Sequence, residues 1–178
     1  MWLDAGMRIL AEHGAPALTI ERLTGLVGRT KGSFYHHFHG MGGFKTALLA
    51  HIEAECTTRF IDLVEADPAA EPEVKLERLL ELVLADDKEP RLEVAIRAWA
   101  MQDVKVNEAQ QRIDQTRVDY LRTLWLALGG DAQDAAHMAQ LLYLVLIGAG
   151  HVTPAVQPAE LRRIYRLAMR LLPARPRN

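Results

Sequence analysis

Apolar residues recur three and four positions apart along nearly the whole chain, and no alternating stretch of useful length interrupts them. That spacing places side chains on one face of a helix and leaves strands without a signal, so the expected fold class is all-α. Glycine and proline punctuate the pattern into about nine helices. Leu3, Met7, Leu10 and Ala11 make a first stripe that Gly14 and Pro16 stop. Thr19 then caps a short second helix carrying Ile20, Leu23 and Leu26 and ending at Gly28. Thr30 caps a third through about His36, with Phe34 turned inward. Gly40, Gly42 and Gly43 mark a loose start to a long fourth helix, whose stripe is Leu48, Ile52, Cys56, Phe60 and Val64. Four helices follow, the third of them from about Val104 to Leu128 and the fourth capped by Asp131. A last helix carries Leu161, Ile164, Tyr165, Ala168, Leu171 and Leu172.

At 178 residues, 49% apolar and 25% charged, the composition excludes a disordered or low-complexity chain. The length fits a small head on a larger helical body. Cys56 is the one cysteine, so neither an intrachain disulfide nor a cysteine-built zinc site can form, and a cytoplasmic setting is expected. The longest apolar run, Leu141 to Ala149, falls far short of the roughly 20 residues a bilayer span needs, so no membrane partner is expected. Charge is uneven. Residues 1–51 hold five Lys/Arg against three Asp/Glu, whereas the rest of the chain is acidic.

Chemistry concentrates in that mildly basic stretch. Two short helices joined through Val27-Gly28-Arg29 form a helix-turn-helix pattern, with glycine supplying a turn conformation that other residues resist. A short third helix can enter a major groove with Thr30, Lys31, Ser33 and His36, while the amides capped by Thr19 and Thr30 suit phosphate. The segment Leu18-Thr19-Ile20-Glu21-Arg22-Leu23, followed by Gly28-Arg29-Thr30-Lys31-Gly32-Ser33-Phe34-Tyr35-His36-His37-Phe38, resembles the TetR family of bacterial transcription regulators. The resemblance implies a homodimer whose heads bind a palindromic operator in double-stranded DNA, a small-molecule effector site in each body, and dimerisation through the last two helices. It implies DNA-facing roles for Thr19, Thr30, Lys31, Ser33, Tyr35 and His36, with Tyr35 on phosphate. Phe34 and Phe38 would pack the head, and His37 would brace it against the fourth helix. Where the family usually carries a lysine this chain has Met41, and Lys45 is the substitute. Arg29 stands where an aliphatic residue is expected.

The expected division is a DNA-binding domain over 1–46 and a ligand-binding and dimerisation domain over 47–178. Aromatic residues of the body, Phe60, Trp99, Tyr120 and Tyr143, with Gln102 as an orienting polar group, are the candidate effector wall. The nearly all-apolar run Leu141 to Ile147 needs cover on every side, which a second subunit supplies. His36, His37, His39 and His51 lack a metal-binding spacing, and no catalytic pair, phosphate loop or nucleophile elbow is present. No metal, cofactor or enzymatic activity is therefore expected. A repressor released by a largely apolar effector is the leading reading. Its rival is a helical small-molecule-binding or interaction protein with a degenerate head, favoured by Met41, Arg29 and the head's small net charge.

Overall fold

The computed structural model describes residues 1–85 and 89–170. Leu171, Leu172 and the tail after Pro173 lie outside the described residues. Among the described residues the secondary structure is helical, with no strand. The helices are α1 (Trp2–His13), α2 (Ile20–Val27), α3 (Lys31–Phe38), α4 (Met41–Glu53), α5 (Arg59–Glu65), α6 (Pro72–Ala85), α7 (Glu89–Ala100), α8 (Val104–Ala127), α9 (Ala135–His151) and α10 (Pro158–Met169). A π turn, Ala54–Thr58, follows α4 and α5 begins at the next residue, so with these counted as one continuous helical segment the nine expected helices are found among the described residues.

That π turn has a physical reason in the sequence. Leu48, Ile52, Cys56, Phe60 and Val64 are spaced by four and all are buried. On a regular helix of 3.6 residues per turn, a four-residue step advances by about 40° each time, so the stripe would wind off its face. A wider π turn in the middle takes up part of the advance.

The described residues fall into two compact units. One comprises residues 1–58 with 89–113, the other 59–85 with 114–170. In the first unit, α1 packs on α2, α4 and α7. Its buried stripe is Trp2, Ala5, Gly6, Ile9 and Leu10, with Leu3, Met7 and Ala11 at its edge. The stripe expected from large apolar residues was thus displaced sideways. Ala5 and Gly6, too small to register as hydrophobic signals, sit at its centre because they let α4 approach. A Cβ on Gly6 would lie 2.7 Å from Phe44 Cζ and 3.1 Å from Leu48 Cδ1.

The second unit packs α6, α9, α10 and the later part of α8 around Leu121, Leu124, Trp125, Leu128, Leu142, Tyr143, Leu161 and Tyr165. Polar ties lock its helices. The Tyr165 hydroxyl donates to the Leu142 carbonyl at 2.7 Å, and burial holds that phenol protonated well above its ordinary range. Arg162 grips Glu81 with two nitrogens, each at 2.8 Å. Glu65 accepts from Lys75 Nζ at 2.5 Å and from the Tyr120 hydroxyl at 2.7 Å. Asp131 does not cap α9. Its carboxylate accepts from the Gln133 amide at 2.7 Å, a local turn that delays the helix to Ala135, with Asp134 at the N-cap position.

The ties predict acid softening of the second unit. Hydrogen bonds from Lys75 and then Tyr120 hold the Glu65 carboxyl below its ordinary value of 4.5, and Arg162 does the same for Glu81. Groups whose pKa is depressed on folding contribute above the unfolded value, and the contribution fades as pH falls through the folded one. Thermal midpoints should therefore drop as pH falls below about 4.5, less steeply in Glu65→Gln. Identical pH dependence in that variant and the wild type would show that Glu65 is not a titrating tie.

Candidate nucleic-acid interface

The corner between α2 and α3 is built by local chemistry. Thr19 is the N-cap of α2, its hydroxyl oxygen accepting from the Arg22 amide at 3.2 Å. Thr30 caps α3 in the same way, accepting from Ser33 at 3.2 Å. Between them Gly28 turns the chain at φ 67°, and both its amide and that of Arg29 bond the Thr24 carbonyl, at 2.9 and 3.2 Å. A side chain at Gly28 would be strained by this left-handed conformation. The helix α3 runs two residues further than expected, to Phe38, and closes on His39 in the left-handed region at φ 55°.

One side of α3 anchors it. Phe34 is fully buried among Trp2, Phe38 and Phe44, with ring centroids 5.6, 5.2 and 5.5 Å away. The other sides are open. Lys31, Tyr35 and His36 are exposed and Ser33 is half-buried, and Lys31 and Tyr35 stand one turn apart on a common face. Tyr35 is 51% exposed although its ring edge packs on Phe34 at 6.0 Å. Thr19 and Thr30 are also exposed, so six of the seven expected DNA-facing residues lie on or beside this corner.

Lys45 is placed differently. Its ammonium donates to Asp103 Oδ2 at 2.6 Å, and both side chains are about three-quarters buried. Asp103 also accepts from the amides of Lys105 and Val106, and the Lys45 hydrogen bond leads in holding its carboxyl below the usual range. Met41 packs against the apolar core of the first unit, which accounts for a hydrophobic residue at that position. His37 does not brace α4. It is exposed, with His36 and Phe38 on its own helix as ring neighbours.

Sequence reasoning did not foresee a partner for Lys31. Glu21, on the first turn of α2, accepts a hydrogen bond from the Lys31 ammonium across the corner. This bond holds the Glu21 carboxyl below the usual range and raises the Lys31 ammonium above its own. The signal available was weak: an acid near one helix start and a base at the next, ten residues apart. Arg8 pairs with Glu12 at 3.1 Å, so three of the head's five Lys/Arg side chains are tied within the protein. Among the described residues Arg22 and Arg29 make no ion pair.

The candidate effector residues divide between the two units. Trp99, half-buried against the apolar core, and the exposed Gln102 belong to the first. Phe60, Tyr120 and Tyr143 belong to the second. Tyr143 donates to Asp114 Oδ1 at 2.7 Å, and burial, followed by the bond to Glu65, raises the Tyr120 phenol above its ordinary range. Among the described residues no group of three or more His, Cys, Asp or Glu could hold a metal ion, and no helix is long and apolar enough to cross a membrane.

Residues 3–50 match the model of the bacterial regulatory proteins of the tetR family. No curated protein matches the chain. Solved structures similar to it include a transcriptional regulator from Rhodococcus sp. Rha1, 17% identical, with a TM-score of 0.77 over 96% of this chain and 93% of that one. A TetR transcription regulator from Haloarcula marismortui is 22% identical, with a TM-score of 0.75 over 96% of this chain and 94% of that one. A third, a proposed transcriptional regulator from Saccharomonospora viridis in complex with choline, is 20% identical with a TM-score of 0.70, again over 96% and 94%. At these identities the structures bear on the fold, and the match over 3–50 bears on the head. The head thus matches the model of the tetR family over residues 3–50, and the chain as a whole shares the fold of these solved transcriptional regulators.

Proposed function

We propose that the chain is a cytoplasmic, ligand-responsive transcriptional repressor that binds a palindromic operator as a homodimer and leaves it when a small molecule binds the body. The observation that carries this reading is the capped α2–α3 corner, which presents Thr19, Thr30, Lys31, Ser33, Tyr35 and His36 on or beside an eight-residue helix short enough to enter a major groove. The functional division follows it, with residues 1–46 reading DNA and 47–178 binding effector and partner. Leu141 and Leu144 on α9 and Leu167 on α10 are exposed, which supports a subunit contact through these helices. The candidate effector contacts are Trp99 and Gln102 in the first unit and Phe60, Tyr120 and Tyr143 in the second. The choline complex of the Saccharomonospora protein adds small organic cations to the apolar compounds worth screening. No catalytic role is assigned to any residue.

A second reading has one observation in its favour. With three of five cations in the head already paired inside the protein, the charge left for DNA is small. The rival is therefore a helical binding protein whose head no longer reads DNA.

Titrating the purified protein against the DNA upstream of its own gene, and against random duplex at two salt concentrations, separates the two. A selective complex with two protomers per site supports the repressor. Equal affinity for both DNAs at low salt supports the rival.

Substitutions assign the roles further. Tyr35→Phe should weaken binding to all sequences alike, as loss of a phosphate contact does. Lys31→Ala and His36→Ala should also relax base preference, by about 1–3 kcal/mol at the base each contacts. Equal losses on operator and random DNA for all three would refute this division.

A further inference from the structure

The pairing of Glu21 with Lys31 contributes little to holding the corner together. Both side chains are exposed, at 68% and 60%, and ion pairs in that setting contribute little to stability. Thr19, Thr30 and the Gly28 turn already fix α2 against α3. Its effect lies in where it leaves the Lys31 charge. Lys31 is the first residue of α3, next to free helix amides and one turn from Tyr35, where a phosphate or a base edge would meet it. An ammonium has three donors. With one given to Glu21, the other two can still reach paired acceptors such as guanine O6 and N7, but the side chain no longer swings freely toward whichever phosphate is nearest.

We propose that Glu21 is a specificity-determining positioning residue, which restrains the Lys31 ammonium across the α2–α3 corner so that it serves base readout rather than general phosphate binding. This rests on the DNA-binding reading above. The accounting of cations makes the effect large for this head. Arg22 and Arg29 are its two Lys/Arg side chains without an ion pair among the described residues, so releasing Lys31 raises the free count from two to three. Non-specific DNA affinity follows counterion release. Each added phosphate contact steepens the plot of log affinity against log salt by about 0.9, which amounts to about eightfold at 0.1 M salt relative to 1 M.

The test uses the full chain, its upstream DNA and a random duplex, each titrated over a salt series, in wild type, Glu21→Gln, Lys31→Ala and the double variant. Glu21→Gln is expected to bind random DNA up to about eightfold tighter at 0.1 M salt, with a slope steeper by about 0.9 per head. It should bind the upstream site no tighter than wild type, so that selectivity falls. In the Lys31→Ala background the same change should gain little on random DNA. An equal gain there would mean that Glu21 simply repels phosphates, and would overturn the positioning role. A selective wild type whose Glu21→Gln variant keeps both selectivity and slope overturns this proposal alone. A wild type that binds all DNA alike overturns the regulator reading and this proposal together.

Discussion

Replacing Phe34 with alanine is expected to cost the first unit about 3–5 kcal/mol, the usual range for removing a fully buried phenylalanine from a packed core. Phe34 has no exposed surface, and it touches four other aromatic rings drawn from α1, α3 and α4. Phe38 also packs on both Trp2 and Phe44, which limits how far these rings can collapse into the space left behind. A domain's whole stability is typically about 5–15 kcal/mol, so a loss of this size leaves α3 poorly held. DNA binding should fall with it, although Phe34 itself faces away from the candidate interface. Hydrogen exchange resolves the effect by region: amides of α1, α3 and α4 should lose protection, and those of α9 and α10 should keep it. Unchanged protection in α3 would mean that the aromatic cluster is not what anchors the recognition helix.

That cluster was partly legible in the sequence, and the reasons divide cleanly. Phe34 was expected inward, and Thr19, Thr30 and Gly28 were placed correctly, because a cap or a tight turn depends on residues within four positions of one another. Tertiary pairings were not legible. Lys45 and Asp103 are 58 residues apart, and nothing local tells a reader that they meet. Glu21 and Lys31 are closer, yet their meeting depends on the crossing of α2 and α3. The stripe of α1 was misjudged for another reason. Its centre is made of Ala5 and Gly6, whose contribution is the space they leave for Phe44 and Leu48. Hydrophobic periodicity detects what a side chain adds, not what its absence permits. Asp131 shows the remaining ambiguity, since a short acidic side chain serves a turn or a helix start equally well.

Gly43 provides the sharpest case of such an absence. Its neighbours Gly40 and Gly42 give the start of α4 the appearance of a loosely specified segment, and from sequence all three glycines look alike. In the structure they are not. A Cβ added at Gly42 would meet nothing within 4 Å, whereas one at Gly43 would lie 2.0 Å from the Phe38 carbonyl oxygen and 3.1 Å from its carbon. Those atoms are backbone at the last residue of α3, so no side-chain rotation can relieve the clash. The α3–α4 corner itself must open, by on the order of 1 Å to reach even a tight van der Waals separation. Gly42→Ala should therefore stabilise the protein by about 0.5–1 kcal/mol, as alanine for glycine does inside a helix. Gly43→Ala should instead destabilise it by about 1–3 kcal/mol, the range for overpacking. Because α4 supports the helix that carries Lys31, Tyr35 and His36, affinity for the upstream DNA should fall in Gly43→Ala and stay level in Gly42→Ala. Denaturant melts of the two variants, measured beside wild type, decide the matter, because the two substitutions are chemically identical and adjacent. Matching shifts in both would show that helix propensity alone governs this segment and that α3 and α4 have room to spare.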